Sequence, residues 1–154
     1  MGRYDHVGDF FNWAGYELVG MDLPGHGKSY GRRGHASYAE IYELITLILE
    51  TEIEQQGSRF LYGHSMGGNI VLNYLYKFLP KVNGAIVTSP GLRPAVPVPP
   101  AKLTLAKVMS RVFPSFTMDN GLDLNSLSTD PGIKEAYIKD TLVHAKISAR
   151  LGWD

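Results

Sequence analysis

The chain has 154 residues, of which 44% are hydrophobic and 19% are charged, and its formal net charge at pH 7 is zero. This composition is typical of a globular domain rather than a disordered chain, and it provides no excess of basic residues for a nucleic-acid partner. The absence of cysteine excludes disulfides, a thiol nucleophile and a thiolate metal site within these residues.

The first third of the sequence predicts a helix, a strand and a loop. Residues His6 to Ala14 are apolar on one side and are followed by Gly15, which predicts a helix with a glycine stop. Tyr16 to Leu23, YELVGMDL, is a short apolar run typical of a strand. The glycine-rich stretch PGHGKSYGRRGH that follows it predicts a loop.

A long amphipathic helix is predicted next. Ser37 and Glu40 have the spacing of a capping box, and the apolar residues behind them recur at helical spacing as far as about Gln56, before a stop at Gly57. The residues predicted to form its inner face are Ile41, Leu44, Ile45, Ile48, Leu49 and Ile53.

Two strands and a second helix follow. Arg59 to Tyr62 and the residues just after them predict a buried strand, Gly67 to Leu79 a helix closed by Pro80, and Val82 to Ser89 a further strand. This alternation predicts parallel pairing of the strands. The residues predicted to form the inner side of the helix are Ile70, Val71, Tyr74, Leu75, Phe78 and Leu79.

From Pro90 onwards the sequence changes character. It first becomes proline-rich, which predicts a stiff, extended connection; the prolines concerned are Pro94, Pro97, Pro99 and Pro100. Leu103 to Val112 and Ile133 to Arg150 then predict helices with no further strand. We therefore expect two parts, a partial α/β core at residues 1–93 and an incomplete helical cap at residues 94–154.

The stretch Gly63-His64-Ser65-Met66-Gly67 matches the pattern G-x-S-x-G. In this pattern a serine occupies a sharp turn between a strand and a helix, and glycines on both sides are expected to avoid collisions. The turn would expose the serine hydroxyl and direct the first N–H groups of the helix towards a developing oxyanion. A predicted strand ends at this stretch and a predicted helix starts there, as the pattern requires.

A second loop offers an alternative function. Gly25-His26-Gly27-Lys28-Ser29 ends like the phosphate-binding motif G-x-x-x-x-G-K-S. The first glycine of that motif falls on Asp22, and no helix is predicted directly after the loop. We therefore prefer the serine motif over nucleotide binding.

Four stretches together resemble a known family. DLPGHGKSYGRRGH, LYGHSMGGNI, SPGLR and DPGIKEAYIKDTLVHAKISARLG are similar to the α/β-hydrolases of the monoacylglycerol lipase and lysophospholipase type, also called serine aminopeptidase S33-like hydrolases. The resemblance implies a mostly parallel sheet flanked by helices, with a helical cap insertion. It also implies hydrolysis of carboxylic esters such as monoacylglycerols or lysophospholipids.

The resemblance also assigns roles to residues. Ser65 matches the nucleophile, and the backbone N–H of Met66 matches an oxyanion-hole donor, with Gly63, His64, Gly67 and Gly68 supporting the turn. The family's other oxyanion motif would precede the segment GRYDHV, and its triad Asp and His would follow the cap. We therefore expect a fragment that lacks these parts and is inactive as given.

No residue of this chain is expected to replace the missing base. The order of the fold, Ser then Asp then His, leaves only His144, and we expect it to be a structural residue in a helical stretch of the cap. His64 is expected to support the turn and His26 to fix its loop. His35 and His6 are expected to be loop and helix residues, and Asp22 precedes the serine in chain order. Solvated or helix-capping roles are expected for Asp119, Asp123 and Asp130, and Asp154 is expected to fray.

No pair of histidines has metal-ligand spacing, so neither a metal nor a cofactor is predicted. The expected partner is a lipid or another small acyl ester. No apolar run reaches the roughly 18–20 residues of a membrane span, and the N-terminus lacks the features of a signal peptide. These observations predict a cytoplasmic protein that makes at most transient contact with a membrane surface through the cap.

The cap contains apolar residues that either line an acyl-chain tunnel or pack against the core; they are Leu103, Leu105, Val108, Met109, Val112, Phe113 and Phe116. Because the family's third strand would separate the two strands YELVGMDL and RFLYGHS, we expect the chain by itself to be unstable. A non-catalytic remnant or binding module is the alternative function.

Overall fold

The computed structural model of the protein describes residues 2–51, 57–93, 98–121 and 128–154. Its helices are a 3₁₀ turn at Gly2–Tyr4, α1 (Asp5–Trp13), α2 (Tyr38–Thr51), α3 (Met66–Phe78), α4 (Pro100–Val112), α5 (Pro131–Lys139) and α6 (Ala149–Trp153). Its strands are β1 (Phe60–His64), β2 (Gly84–Thr88), β3 (Thr117–Asp119) and β4 (Lys146–Ser148). The predictions for Ile53, Gln56, Pro94, Pro97 and Asp123 lie outside the described residues.

The chain divides into two compact units. One is Tyr38–Leu103, and the other combines Met1–Ser37 with Thr104–Asp154. The expected division into a core at residues 1–93 and a cap at residues 94–154 groups the chain differently and stays a prediction.

In the unit Tyr38–Leu103, β1 and β2 pair in parallel, from Phe60 opposite Gly84 to His64 opposite Thr88. The predicted parallel pairing is therefore confirmed. The strands are less buried than predicted, because a ladder of two strands covers little of its own surface: Gly63 is the buried residue of β1, whereas Phe60 and Ile86 are 48% and 44% exposed.

Helices α2 and α3 carry the core of this unit, as their apolar spacing predicts. Ile41, Ile70 and Tyr74 are almost completely buried, and the hydroxyls of Tyr74 and Thr46 share a hydrogen bond of 2.8 Å. The predicted inner side of α3 extends further towards the end of the helix than the buried residues do. Phe78 and Leu79 are 52% and 82% exposed, because the helix ends there and Leu79 caps it in the left-handed conformation.

In the other unit, α1 confirms the predicted first helix and Gly15 follows it with φ of +84°. The prediction of a strand at Tyr16–Leu23 is wrong: among the described residues this segment forms no ladder. A strand needs a hydrogen-bonded neighbour as well as an apolar sequence, and the two ladders present join β1 to β2 and β3 to β4.

The prediction of one helix from Ile133 to Arg150 is also wrong. Helix α5 ends at Lys139, and Asp140 is extended, with φ of −74° and ψ of 105°. The chain then forms β4, which pairs antiparallel with β3, although no strand was predicted there. Hydrogen bonds to a distant loop hold β4 in this conformation, because the N–H of Ser148 donates to the carbonyl of Gly34 at 2.8 Å.

Candidate functional site: the turn at Ser65

Ser65 is the single residue between β1 and α3, and its backbone is strained. Its φ of 54° and ψ of −118° lie in a region that residues with a side chain rarely adopt. The residue is exposed, and its side chain makes no capping hydrogen bond to α3. The chain therefore turns sharply from strand to helix at an exposed serine, as the G-x-S-x-G pattern predicts.

The two glycines that flank the Ser65 turn differ in the room they leave for a side chain. A Cβ atom on Gly63 would lie 2.4 Å from the carbonyl oxygen of Gly67, which real contacts do not allow. A Cβ atom on Gly67 would meet nothing within 4 Å, so the expected collision at Gly67 is wrong. The backbone of Gly67 is what approaches Gly63, and only the earlier position lacks room for a side chain.

Gly68 is the other tight position. A Cβ atom there would lie 3.1 Å from Cγ1 of Val87 and 3.3 Å from Cα of Pro90. Helix α3 therefore starts in close contact with β2 and with the segment that follows it.

Backbone hydrogen bonds fix both sides of the Ser65 residue. Its N–H donates to the carbonyl of Thr88 at 3.0 Å, and its carbonyl accepts from the N–H groups of Asn69 and Gly91 at 3.1 Å and 3.2 Å. The N–H of Met66 is the first of α3, and the first N–H groups of a helix have no acceptor within the helix. The arrangement can place such a donor beside a reacting acyl group.

His64 lies next to the nucleophile position and bonds to the neighbouring strand. Its Nδ1 atom is 2.8 Å from the hydroxyl oxygen of Thr88, the residue opposite it in the ladder. This contact links β1 to β2 at the turn and agrees with the supporting role expected for His64.

Sequence reasoning missed Asn69, which has the most hydrogen bonds of the residues near the turn. Its side chain accepts from the Tyr38 hydroxyl at 2.9 Å and from the Asn73 amide at 2.9 Å, and it donates to the carbonyl of Gly91 at 2.7 Å. The sequence carries no local signal for this role, because Tyr38 and Gly91 lie in other segments of the chain.

The four remaining histidines all lie in the unit of residues 1–37 and 104–154. Three of them, His26, His35 and His144, form hydrogen bonds within it. His144, expected in a helix, lies instead in the irregular segment before β4. Its Nε2 atom is 2.9 Å from the carbonyl of Gly25, and its Nδ1 atom accepts from the N–H of Lys146 at 3.2 Å. Both ring nitrogens are thus engaged, which supports the structural role expected for it.

His26 stacks against His144, with ring centroids 4.8 Å apart. Its Nδ1 atom lies 2.9 Å from the carbonyl of Pro24, so the expected loop-fixing bond is present. Burial lowers the pKa of His26 below its usual value, and electrostatic interactions with His144 and Arg33 act in the same direction, whereas the bond to Pro24 acts against it.

The remaining two histidines are also accounted for. His35 Nδ1 lies 3.1 Å from the hydroxyl of the buried residue Ser148, and His6 lies on the exposed side of α1.

The carboxylates have local structural roles. Asp22 accepts from the N–H of Lys28 at 2.9 Å, and this bond is the main reason why the pKa of Asp22 is lowered.

Asp130 caps α5 through a bond of 2.7 Å from the N–H of Gly132, which confirms a capping role. Asp119 ends β3 and accepts from the N–H of Gly121, and Asp154 pairs with Arg150 at 3.0 Å.

The glycine-rich loop does not form a phosphate cradle. Gly27 has φ of +52°, and a Cβ atom on it would lie 2.3 Å from the Asp22 carboxylate. The loop thus closes around an acidic side chain of its own chain, and the next described helix begins only at Tyr38. Both observations oppose the nucleotide-binding alternative.

The described residues bring together no group of three or more histidine, aspartate or glutamate side chains that could hold a metal ion. None of the helices formed by the described residues has the length and hydropathy needed to span a membrane.

Known proteins match this chain along its whole length. The family described as serine aminopeptidase, S33, matches residues 1–154. The chain belongs to the serine aminopeptidase S33 family. Its predicted resemblance to the α/β-hydrolases is thereby confirmed.

Individual relatives and a solved structure agree with S33 membership. An uncharacterised abhydrolase domain-containing protein of Dictyostelium discoideum is 40% identical over 96% of this chain, and a monoacylglycerol lipase of Mycolicibacterium smegmatis is 31% identical over 93% of it. The crystal structure of Paleococcus ferrophilus monoacylglycerol lipase is 40% identical, covers 99% of this chain and has a TM-score of 0.89. This S33 chain therefore has the α/β-hydrolase fold.

The chain spans only part of these proteins. It covers 16% of the Dictyostelium protein, 52% of the Mycolicibacterium lipase and 58% of the Paleococcus chain.

Proposed function

We propose that the protein carrying this chain is a carboxylic ester hydrolase that forms an acyl-enzyme on Ser65. The observation that carries the proposal is the strained, exposed position of Ser65 between β1 and α3. Attack of its hydroxyl oxygen on an ester carbonyl would create an oxyanion, and the N–H of Met66 is the donor proposed to stabilise it. Collapse of this oxyanion would break the ester C–O bond, leave the acyl group on Ser65 and expel the alcohol, to which the base passes the serine proton. Water would then attack the acyl-serine, release the carboxylic acid and return the proton to Ser65.

The proton acceptor is proposed to come from outside the described residues of Tyr38–Leu103. A serine hydroxyl needs a base to become a strong nucleophile, and the histidine of this unit, His64, is bonded to Thr88 through Nδ1. His144 has both ring nitrogens engaged within its own unit. We therefore propose that residues 1–154 alone do not catalyse hydrolysis.

A monoacylglycerol or a lysophospholipid is the proposed substrate class. The support is the S33 membership together with the similarity to two monoacylglycerol lipases. A cytoplasmic location is part of the same proposal.

Covalent labelling tests the proposed function. The full-length protein is treated with a fluorophosphonate probe, and the labelled peptide is identified by mass spectrometry. We expect labelling on Ser65 and its loss in Ser65→Ala. Ser89 is a matched control, because it also ends a strand, is exposed and has a positive φ of 44°; labelling should persist in Ser89→Ala. A folded protein without any label would support the alternative, a non-catalytic binding module.

We also propose that α4 contacts membrane surfaces transiently. Leu105, Val108 and Val112 on this helix are 50% to 61% exposed, and residues 98–116 contain lysine and arginine but no acidic residue. Apolar residues combined with basic ones favour binding at an anionic lipid surface. The two interpretations of the apolar cap residues, an acyl-chain tunnel and packing against the core, both stay predictions.

Vesicle sedimentation tests this contact. The full-length protein should bind vesicles of phosphatidylcholine and phosphatidylglycerol less strongly when Leu105→Glu is introduced. Ile138→Glu is the control, since Ile138 is an exposed apolar residue of a different helix, at 68% exposure. Equal losses in the two variants would contradict a specific role of α4.

A further inference from the structure

The side chain of Asn69 connects three separate parts of the unit Tyr38–Leu103. Its carboxamide oxygen accepts from Tyr38 at the start of α2 and from Asn73 one turn further along α3. Its nitrogen donates to the carbonyl of Gly91, in the segment that follows β2. These partners fix the orientation of the amide, because two donors face its oxygen and one acceptor faces its nitrogen.

Gly91 in turn holds the residue that carries the hydroxyl. The N–H of Gly91 donates to the carbonyl of Ser65 at 3.2 Å, and the backbone N–H of Asn69 donates to the same carbonyl at 3.1 Å. Asn69 therefore binds the Ser65 carbonyl directly through its backbone N–H. It also acts on this carbonyl indirectly, because its side chain binds Gly91, whose N–H donates to the same oxygen.

The Ser65 carbonyl and the Met66 N–H belong to one peptide unit. A trans peptide unit is planar, so its N–H points away from its carbonyl. Two donors that fix the direction of the Ser65 carbonyl consequently fix the direction of the Met66 N–H as well. That N–H is the donor proposed above for the oxyanion.

From this geometry we infer that Asn69 is a positioning residue that orients the oxyanion donor through Gly91. The inference rests on the proposed function, since it requires a reaction at Ser65. Asn69 itself does not touch the substrate. Its side chain holds the far end of a hydrogen-bonded chain that runs from Asn69 through Gly91 to the peptide unit of Ser65 and Met66.

The main experiment compares two isosteric variants of the full-length protein. Asn69→Asp still accepts from Tyr38 and Asn73 but no longer donates to Gly91, and its charge faces that carbonyl. Tyr74→Phe is the matched control, because it also removes a hydrogen bond between α2 and α3, the bond of 2.8 Å to Thr46, but leaves Gly91 untouched.

Hydrolysis of a soluble ester is measured together with the midpoint of thermal unfolding. We expect Asn69→Asp to lower kcat about 10- to 100-fold with less than about a threefold change in KM, because a misplaced donor affects the transition state more than substrate binding. Tyr74→Phe should lower the unfolding midpoint to a similar extent while kcat remains within about threefold of wild type.

A second pair covers the case in which Asn69→Asp does not fold. Gly91→Pro deletes the N–H that donates to Ser65, whereas Gly91→Ala keeps it and adds a Cβ atom that meets nothing within 4 Å. The proline variant should lose at least about tenfold more in kcat than the alanine variant. Equal kcat in the two would overturn the inference.

The proposed function and the positioning role of Asn69 would fail in different experiments. If wild-type protein neither hydrolyses esters nor takes label on Ser65, the proposed function is wrong and the inference fails with it. If wild type is active and kcat follows the unfolding midpoint equally in Asn69→Asp and Tyr74→Phe, Asn69 only stabilises the fold. The proposed function then stands and the positioning role is wrong.

Discussion

The two compact units differ in how far apart in sequence their contacts lie. In Tyr38–Leu103 the strands pair over a short separation, since His64 and Thr88 are 24 residues apart. In the other unit the hydrogen bonds between His35 and Ser148 and between Gly25 and His144 join residues 113 and 119 positions apart. Sequence patterns predicted the first unit well and the second poorly.

The difference shows what local patterns can encode. Apolar periodicity describes one element and its inner side, so it suffices where consecutive elements pack on each other. The conformation of residues 140–148 is decided by a loop that lies more than a hundred residues earlier. Close approach of the backbones at Gly34 and Lys146 is the clearest sign of this dependence.

Substitution of Gly34 should disrupt the long-range unit most. A Cβ atom there would lie 2.4 Å from the carbonyl oxygen of Lys146, and Gly34 has φ of +78°. We expect Gly34→Ala to lower the free energy of unfolding by about 3 kcal/mol, the combined cost of a clash and of a left-handed conformation.

Gly15→Ala is the control for Gly34. Gly15 has φ of +84° but open space around its Cβ position, so only the backbone cost of about 1–2 kcal/mol applies. Urea unfolding of the full-length variants measures both values. Equal decreases in the free energy of unfolding for Gly34→Ala and Gly15→Ala would show that the close contact between Gly34 and Lys146 contributes nothing to the cost.

A smaller contrast is expected inside the short-range unit. Gly63→Ala places a Cβ atom 2.4 Å from the carbonyl of Gly67 and should cost about 1–3 kcal/mol. Gly67→Ala meets open space in a helix and should be neutral or should stabilise by up to about 1 kcal/mol. The midpoints of unfolding of the two variants measure this difference. A larger decrease in the midpoint for Gly67→Ala than for Gly63→Ala would contradict the geometry of the turn.

The smallest effect is a pH dependence confined to the long-range unit. Because the folded pKa of His26 lies below its usual value of 6.5, the unfolded state binds more protons at slightly acidic pH. The contribution of His26 to stability is therefore complete above about pH 6.5. This contribution decreases as the pH falls from the usual pKa of histidine towards the lower folded pKa of His26. Below the folded pKa it decreases no further.

Unfolding midpoints between pH 8 and pH 5 measure this loss. The groups that face His26 are His144, Arg33 and Asp22, and Asp22 titrates below its usual value of 3.8, outside the window. His26→Asn retains a donor for the carbonyl of Pro24 and removes the titration, so its pH profile should be flatter. An unchanged profile would exclude His26 as the source.

The candidate site was predictable in part. The pattern G-x-S-x-G between a strand and a helix located Ser65 and identified Gly63 as a position without room for a side chain. It did not identify Asn69, because a hydrogen bond from a helix to the segment after the next strand has no local signature. It also assigned a collision to Gly67, where the backbone and not the Cβ position makes the close contact.

The sequence by itself determined the family, the parallel strand pairing beside Ser65 and the helices α1, α2, α3 and α4. The strand pairing and the helices depend on the spacing of apolar residues, which is a local property, whereas the family was indicated by the resemblance of four stretches to known hydrolases. Only the tertiary structure decided that residues 16–23 form no ladder, that β4 interrupts the predicted last helix and that Asn69 reaches Gly91. Each of these outcomes depends on whether a hydrogen-bonding partner from elsewhere in the chain is within reach, and the order of residues in one segment does not contain that information.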